Sequence, residues 1–315
     1  MKILFTADWH IKLGQKKVPK AWQKGRYYKL FSELHELENR VDLVILGGDI
    51  FDKIPNIEEL ELFFDYISGI KKKTIIYDGN HEATRKRHSF LHNLSNIITS
   101  CNPKVTIINK ITSIENIDII PYTDIHTFDS SKLHGDILCT HVRGEIKPHV
   151  FPEIDLDKLD KWKLVLAGDL HSHSNSQRNI LYPGSPLTIS FHRNKVETGV
   201  LIVDTESLEH EWVNLHIPQL LRKTVSSLED VKATKYDHTI YELETKAEEV
   251  ISIPDSTLDI IDKKITQNNV EAKLNLHNLS IAEEVDMYLS KVLNIEDTAN
   301  ILKVLYDYNK EIDMG

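Results

Sequence analysis

Only two cysteines, Cys101 and Cys139, occur among 315 residues. They stand in different apolar contexts without ligand spacing, which speaks against a disulfide framework or a cysteine-held zinc and suits two reduced, buried thiols of a cytoplasmic protein. No run approaches the roughly 18 apolar residues of a membrane span, so no membrane partner is expected. The opening Met1-Lys2-Ile3-Leu4-Phe5 is too short for a secretory signal and reads as a first strand. Internal repeats and low-complexity segments are missing too. What remains, 41% hydrophobic and 27% charged residues, is the composition of an ordinary soluble globular protein. The length suits roughly two domains.

Positive charge is also scarce, with a formal net charge of −10. Its distribution decides what that excludes. From Pro218 onward 19 acidic residues face 11 basic ones, so most of the acidity lies in the tail. By contrast, Trp9 to Ser32 holds Lys12, Lys16, Lys17, Lys20, Lys24, Arg26 and Lys29 and no acidic residue. That stripe is compatible with phosphate contact, and equally with a solvated loop and helix face.

Hydrophobic patterning gives a β-α-β-α-β order at the start. Ile3 to Ala7, Val41 to Leu46 and Thr74 to Tyr77 read as buried parallel strands. Between them a long loop (8–24) leads to a helix over 25–40, and a second helix follows Pro55-Asn56. From Lys104 the rhythm shortens, with strands expected at 105–108, 117–120, 137–140, 164–167, 180–182, 199–203 and 209–215. This suggests a second sheet packed on the first, with helices outside. Ile217-Pro218 marks a domain boundary, with a further strand at 239–243. Residues 280–312 read as two helices broken near Asn294, whose apolar stripes suit either packing on the parent domain or docking of a partner.

The chemistry sits in the turns that end the strands. Asp8-Trp9-His10, Gly48-Asp49-Ile50-Phe51-Asp52 and Asp78-Gly79-Asn80-His81-Glu82 follow the first three strands. His141 and Gly168-Asp169-Leu170-His171 follow two later ones. Singly, such an aspartate is as readily a cap or turn former. Together, Asp8, His10, Asp49, Asn80, His141, Asp169 and His171 supply carboxylate, amide and imidazole donors that suit manganese, iron or zinc. Seven ligands exceed one tetrahedral ion and suit two ions sharing a carboxylate, an arrangement able to activate water and clamp a phosphoryl group.

These motifs resemble those of the calcineurin-like metallophosphoesterases. Within them the chain is most similar to the SbcD / Mre-eleven family of DNA double-strand-break nucleases, on Gly-Asp-Ile-Phe-Asp (48–52) and on Tyr182-Pro183-Gly184-Ser185-Pro186 after the last motif. Its compact length resembles a phage recombination nuclease subunit. The resemblance covers roughly residues 1–215. It implies an α/β fold, a four-layer α-β-β-α sandwich over residues 1–217, with a smaller α+β C-terminal region. The latter divides into a capping or DNA-binding domain (218–275) and a helical partner-binding segment (276–315).

By the same resemblance, Asp8, His10, Asp49 and His171 would hold one of two manganese ions. Asp49 would bridge to the second, held with Asn80, His141 and Asp169. His81 would be the catalytic residue that protonates the leaving 3′ oxygen. Asp52, Glu82 and His173 would orient ligands from behind, and Lys16, Lys17, Arg85, Lys86, Arg87 and Arg143 would grip DNA. The family pattern has histidine where this chain has Asp169. The implied activity is manganese-dependent 3′–5′ double-strand exonuclease and single-strand endonuclease, working with an SbcC-like (Rad-fifty-type) coiled-coil ATPase docked on the C-terminal helices. A homodimer in the cytoplasm, the host's if viral, is expected. The competing readings are a phosphatase acting on phosphoproteins or small nucleotides, and a non-catalytic scaffold of the same fold.

Overall fold

The computed structural model describes residues 1–83, 88–231, 236–245, 260–265, 281–295 and 297–303. In chain order the first half holds β1 (Lys2–Thr6), α1 (Lys20–Leu37), β2 (Leu43–Gly47), α2 (Ile57–Gly69), β3 (Lys73–Tyr77), α3 (Phe90–Asn93), α4 (Ser95–Cys101) and β4 (Val105–Ile107). Then come β5 (Thr112–Ile114), β6 (Ile117–Ile120), β7 (Ile137–His141), β8 (Leu164–Gly168), β9 (Ile180–Leu181), β10 (Gly199–Asp204) and β11 (His210–Asn214). Beyond these lie β12 (Leu220–Val225), β13 (His238–Thr245), β14 (Ile260–Ile265) and α5 (Ile281–Lys291).

The first sheet runs β11-β10-β1-β2-β3-β4 and the second β5-β6-β7-β8-β9. Strands β1 to β4 are parallel, and so are β6 to β9. Parallel pairing buried on both faces accounts for the unbroken apolar runs Leu43–Gly47 and Leu164–Gly168. One correction concerns sheet membership. Strands β4, β10 and β11, read from sequence as part of the second sheet, belong to the first: β10 lies antiparallel on β1, with Phe5 opposite Leu201, and β4 lies on β3. Neither edge of β1 can stay open in a buried sheet, and only a strand returning from far along the chain reaches the second.

Between the sheets, Phe5, Ile45, Ile75 and Tyr77 meet Ile119, Ile137, Cys139 and Leu166. On the outer face of the first sheet Leu4, Val44 and Ile76 pack against Leu30, Phe31 and Leu34 of α1 and Leu62, Phe63 and Ile67 of α2. Burial of each such side chain is worth roughly 1.5–3 kcal/mol, enough to hold α1 although its other face is polar. The helix starts at Lys20, earlier than its apolar spacing suggests, directly after Pro19, which is extended (ψ 128°) at the N-cap. Helix α2 starts at a capping box in which Asn56 and Glu59 satisfy each other's backbone amides. The outer face of the second sheet is covered more thinly. Leu138 and Val165 pack under Leu156 and Leu159 of a short 3₁₀ turn and under Trp162 just beyond it, so the fourth layer consists of helical turns and loops. Cys139 is buried, whereas Cys101, expected inside, is exposed at the end of α4.

The chain divides into two compact units, the first including Met1–Thr224 and Glu229–Glu242. In the second unit, α5 is followed by Asn294 at φ 53°, the left-handed conformation common after a helix, and a new helix begins at Ala299. Thr298 Oγ1 donates to Asp286 Oδ1 at 2.5 Å across that turn. The later stripe positions Val304, Leu305 and Tyr308 lie outside the described residues. Among the described residues, no helix is long and apolar enough to cross a membrane.

Candidate metal centre

The parallel strands of both sheets deliver their carboxyl ends to one place, where open α/β sheets bind ligands. The backbone there is bent hard. Asp8, His10, Asp49 and Asp169 take φ of 58°, 45°, 52° and 99°, a left-handed conformation that non-glycine residues rarely hold without compensation. Gly48 lets the turns close on one another: at φ 87°, a Cβ on it would lie 2.6 Å from Gly79 N and 2.8 Å from His141 Nδ1.

Three overlapping groups of ligand atoms converge there: Asp8 with His10 and His171, His10 with Asp49 and His81, and Asp8 with Asp49 and His141. Within them, His10 Nε2 lies 3.1 Å from His171 Nε2 and 3.6 Å from Asp49 Oδ2. His141 Nε2 lies 3.5 Å from the same Asp49 oxygen. His141 Nδ1–H donates to the Gly47 carbonyl at 2.9 Å, which fixes the tautomer and turns the lone pair of Nε2 inward. His81 is held likewise, Nδ1–H donating to the Asp52 carbonyl at 2.6 Å, with Nε2 3.9 Å from Asp49 Oδ2.

Whether these residues fit a cation can be judged from their donors. Asn80 Oδ1 lies 3.0 Å from His141 Nε2 and faces only acceptors, Asp49 Oδ2 among them. Either that amide turns over to donate to Asp49, or a cation lies among the three. Buried lone pairs converging without donors are the chemistry of a metal site. The titration shifts are those of charge crowded into a buried site: burial pushes His141 down, but Asp49 outweighs it and holds that imidazole well above its ordinary value. Burial, reinforced by Asp49, pushes the Asp8 carboxyl up to about 8, and burial drives His10 down to about 3. Burial also pushes Asp49 upward, but His141, His10 and His81 outweigh it and leave it below the usual carboxylate range. The donor set fits divalent cations.

The remaining expected residues fall in several places. Glu82 is fully buried and binds the turns together: Oε2 accepts from Asp49 N and Gly79 N, and Oε1 from Phe51 N, each at 2.9 Å. Burial, then the charge of Asp49, pushes it up to about 7 against those three amides. Asp52 pairs with Lys12 Nζ at 2.8 Å. His173 is turned elsewhere, donating to the Tyr182 carbonyl at 2.7 Å and stacking on Trp212. Asp169 belongs to none of the three groups, and its Oδ2 accepts from Arg143 Nε at 3.2 Å. Within the basic stripe, Lys16 is exposed and Lys17 half-buried, Lys20 pairs with Glu58, and Arg26 is buried on the Thr188 carbonyl. Arg85, Lys86 and Arg87 lie outside the described residues.

Sequence reasoning passed over one supporting residue. Ser185 Oγ lies 2.7 Å from the Asp8 carbonyl and 2.6 Å from that of Leu187, and Ser185 N donates to the His171 carbonyl at 3.1 Å. It therefore ties the Asp8 turn to the His171 turn. Its signal was the Tyr-Pro-Gly-Ser-Pro segment, whose role only the assembled turns reveal.

Comparison with known proteins agrees with this geometry. The calcineurin-like phosphoesterase family matches residues 1–200. The chain belongs to that family. As a calcineurin-like phosphoesterase it is 42% identical, over 98% of its own length and 100% of the relative's, to "Probable exonuclease subunit 1" of Escherichia phage T5. It is 24% identical to a subunit of the SbcCD nuclease of Staphylococcus saprophyticus, covering 79% of this chain and 76% of the relative. Among solved structures, a novel archaeal phosphodiesterase aligns with a TM-score of 0.38 and 17% identity, over 68% of this chain and 100% of that one. Family membership bears out the expected fold class and implies divalent metal ions at the cluster.

Proposed function

We propose that this phosphoesterase is a manganese-dependent DNA nuclease that trims duplex ends 3′ to 5′ and cuts single strands. The observation that carries the reading is the 42% identity to a phage exonuclease subunit along the whole of both chains. Asp8, His10, Asp49 and His171 would hold one ion, and Asp49, Asn80 and His141 a second; Asp169 would be a further ligand by motif. When bound, two such ions lower the pKa of a water and stabilise charge on a phosphoryl group during in-line displacement.

The chain's own groups do the rest. Glu82 and Ser185 keep the ligand turns in register, so the site is organised before substrate arrives. His81 is half-exposed, with Nδ1 committed to a carbonyl and Nε2 facing the cluster. Nε2 is thus the atom placed to pass a proton to the leaving 3′ oxygen. Lys16, Lys17 and Arg143 supply phosphate contacts that position DNA without reading its sequence. Convergence of the ligand turns speaks against the scaffold reading.

Both nuclease relatives are named as subunits of larger assemblies. We extend this to an SbcC-like ATPase docked on the C-terminal helices, and to a homodimer. The test is a purified chain incubated with linear duplex and manganese, with and without that ATPase, beside His81→Ala. Cleavage by the native chain and its loss in the variant are expected. Intact DNA in every reaction, or faster turnover of a phosphoprotein or cyclic nucleotide, would overturn the reading.

A further inference from the structure

Asp169 ends β8 beside the cluster, and its backbone N–H donates to both carboxylate oxygens of Asp8, at 3.1 and 3.2 Å. Its side chain has a different engagement. Oδ2 accepts from Arg143 Nε at 3.2 Å, and among the described residues no group of converging ligand atoms contains Asp169. Asn80 Oδ1 and Asp49 Oδ2 lie 3.0 and 3.5 Å from His141 Nε2, so the second half of the centre comes together without it. The Asp169 side chain is 8% exposed and that of Arg143 42%.

A guanidinium carries five N–H donors in a planar fork. Arg143 spends Nε on Asp169, and neither Nη has a hydrogen-bond partner among the described residues. That leaves the end of the fork free at the rim of the centre. Two parallel N–H groups match a phosphate edge, a geometry that an ammonium does not reproduce. The carboxylate holding Nε removes rotamer freedom that Arg143 would otherwise lose on binding.

We propose that Asp169 is a positioning residue rather than a metal ligand, and that it aims the Nη fork of Arg143 at the substrate phosphate held at the metal centre. The inference rests on the phosphodiesterase reading above and replaces one ligand of its second site with a fixed cation.

The test uses the full chain with Asp169→Asn, Asp169→Glu, Arg143→Lys and the Asp169→Asn/Arg143→Lys double variant, with melting curves to verify folding. Calorimetry gives manganese stoichiometry and the affinity of the manganese-loaded chain for inorganic phosphate; hydrolysis of bis(p-nitrophenyl) phosphate gives KM and kcat. Asp169→Asn should bind as many manganese ions as the native chain. Its phosphate affinity should fall, and its KM rise, by about tenfold or more, as should those of Arg143→Lys. The double variant should be no worse than either single one, and Asp169→Glu should recover part of the loss. Loss of one ion in Asp169→Asn, native behaviour of Arg143→Lys, or additive losses in the double variant would overturn the proposal. If the native chain hydrolyses no phosphodiester, the proposed function fails, while ion stoichiometry and phosphate affinity still decide this inference.

Discussion

The metal centre has two walls, and they are built differently. The wall from the first sheet, at the ends of β1, β2 and β3, braces itself: Glu82 takes three amides from the Asp49 and Gly79 turns, and Gly48 lies against Gly79 with no room for a side chain. The wall from the second sheet leans on the first. His141 is oriented by the Gly47 carbonyl, Asp169 N is anchored on the Asp8 carboxylate, and the His171 turn is tied through Ser185 to the Asp8 carbonyl. The difference teaches where damage spreads. A lesion in the first wall should reach every ligand, and one in the second should stay local.

The hardest test of that asymmetry is Asp49→Asn, which removes charge from the carboxylate that His10, His81 and His141 share, at 3.6, 3.9 and 3.5 Å. Activity should fall on the order of 10³-fold, and both ions should bind weakly. Retention of one tight ion would make the two sites independent. Next is Glu82→Ala, which orphans three buried amides. Urea unfolding should show a loss of about 2–4 kcal/mol, larger than for any second-wall ligand replaced by alanine. A near-neutral result would remove Glu82 as the brace. His81→Ala should slow cleavage about a hundredfold while manganese binding stays native, because His81 touches Asp49 only at 3.9 Å. Weakened ion binding would make it a ligand.

Much of this was legible in the sequence, for a physical reason. A ligand at the end of a buried strand leaves a local mark, an apolar run followed at once by a short polar turn. Asp8, His10, Asp49, Asn80, His141 and His171 all carry that mark, and the structure brings them together. Pairings across the chain leave none. The meeting of Arg143 with Asp169 depends on the register of β7 on β8, where His141 lies opposite Gly168. The return of β10 to β1 depends on strand pairing between residues some two hundred positions apart. Helix α1 starts early, directly after a proline that lies outside its apolar pattern.

A pH dependence follows from the burial of Asp8. The Asp8 carboxyl is raised from 3.8 to about 8, so below that pH the folded chain holds a proton which a metal ion must displace. Apparent manganese affinity should therefore rise up to tenfold per pH unit toward pH 8 and then flatten, with matching proton release in calorimetry. For the metal-free fold the sign is opposite. The unfolded chain ionises first, so this group's contribution to stability falls as pH rises from about 4 to about 8. Flat affinity between pH 6 and 8 would show that Asp8 is already ionised.

The central claim is that two walls of unequal construction close on a pair of ions. Calorimetric titration of manganese into the native chain tests it most directly. The account predicts two ions bound per chain; saturation at one ion, or no binding, would contradict it.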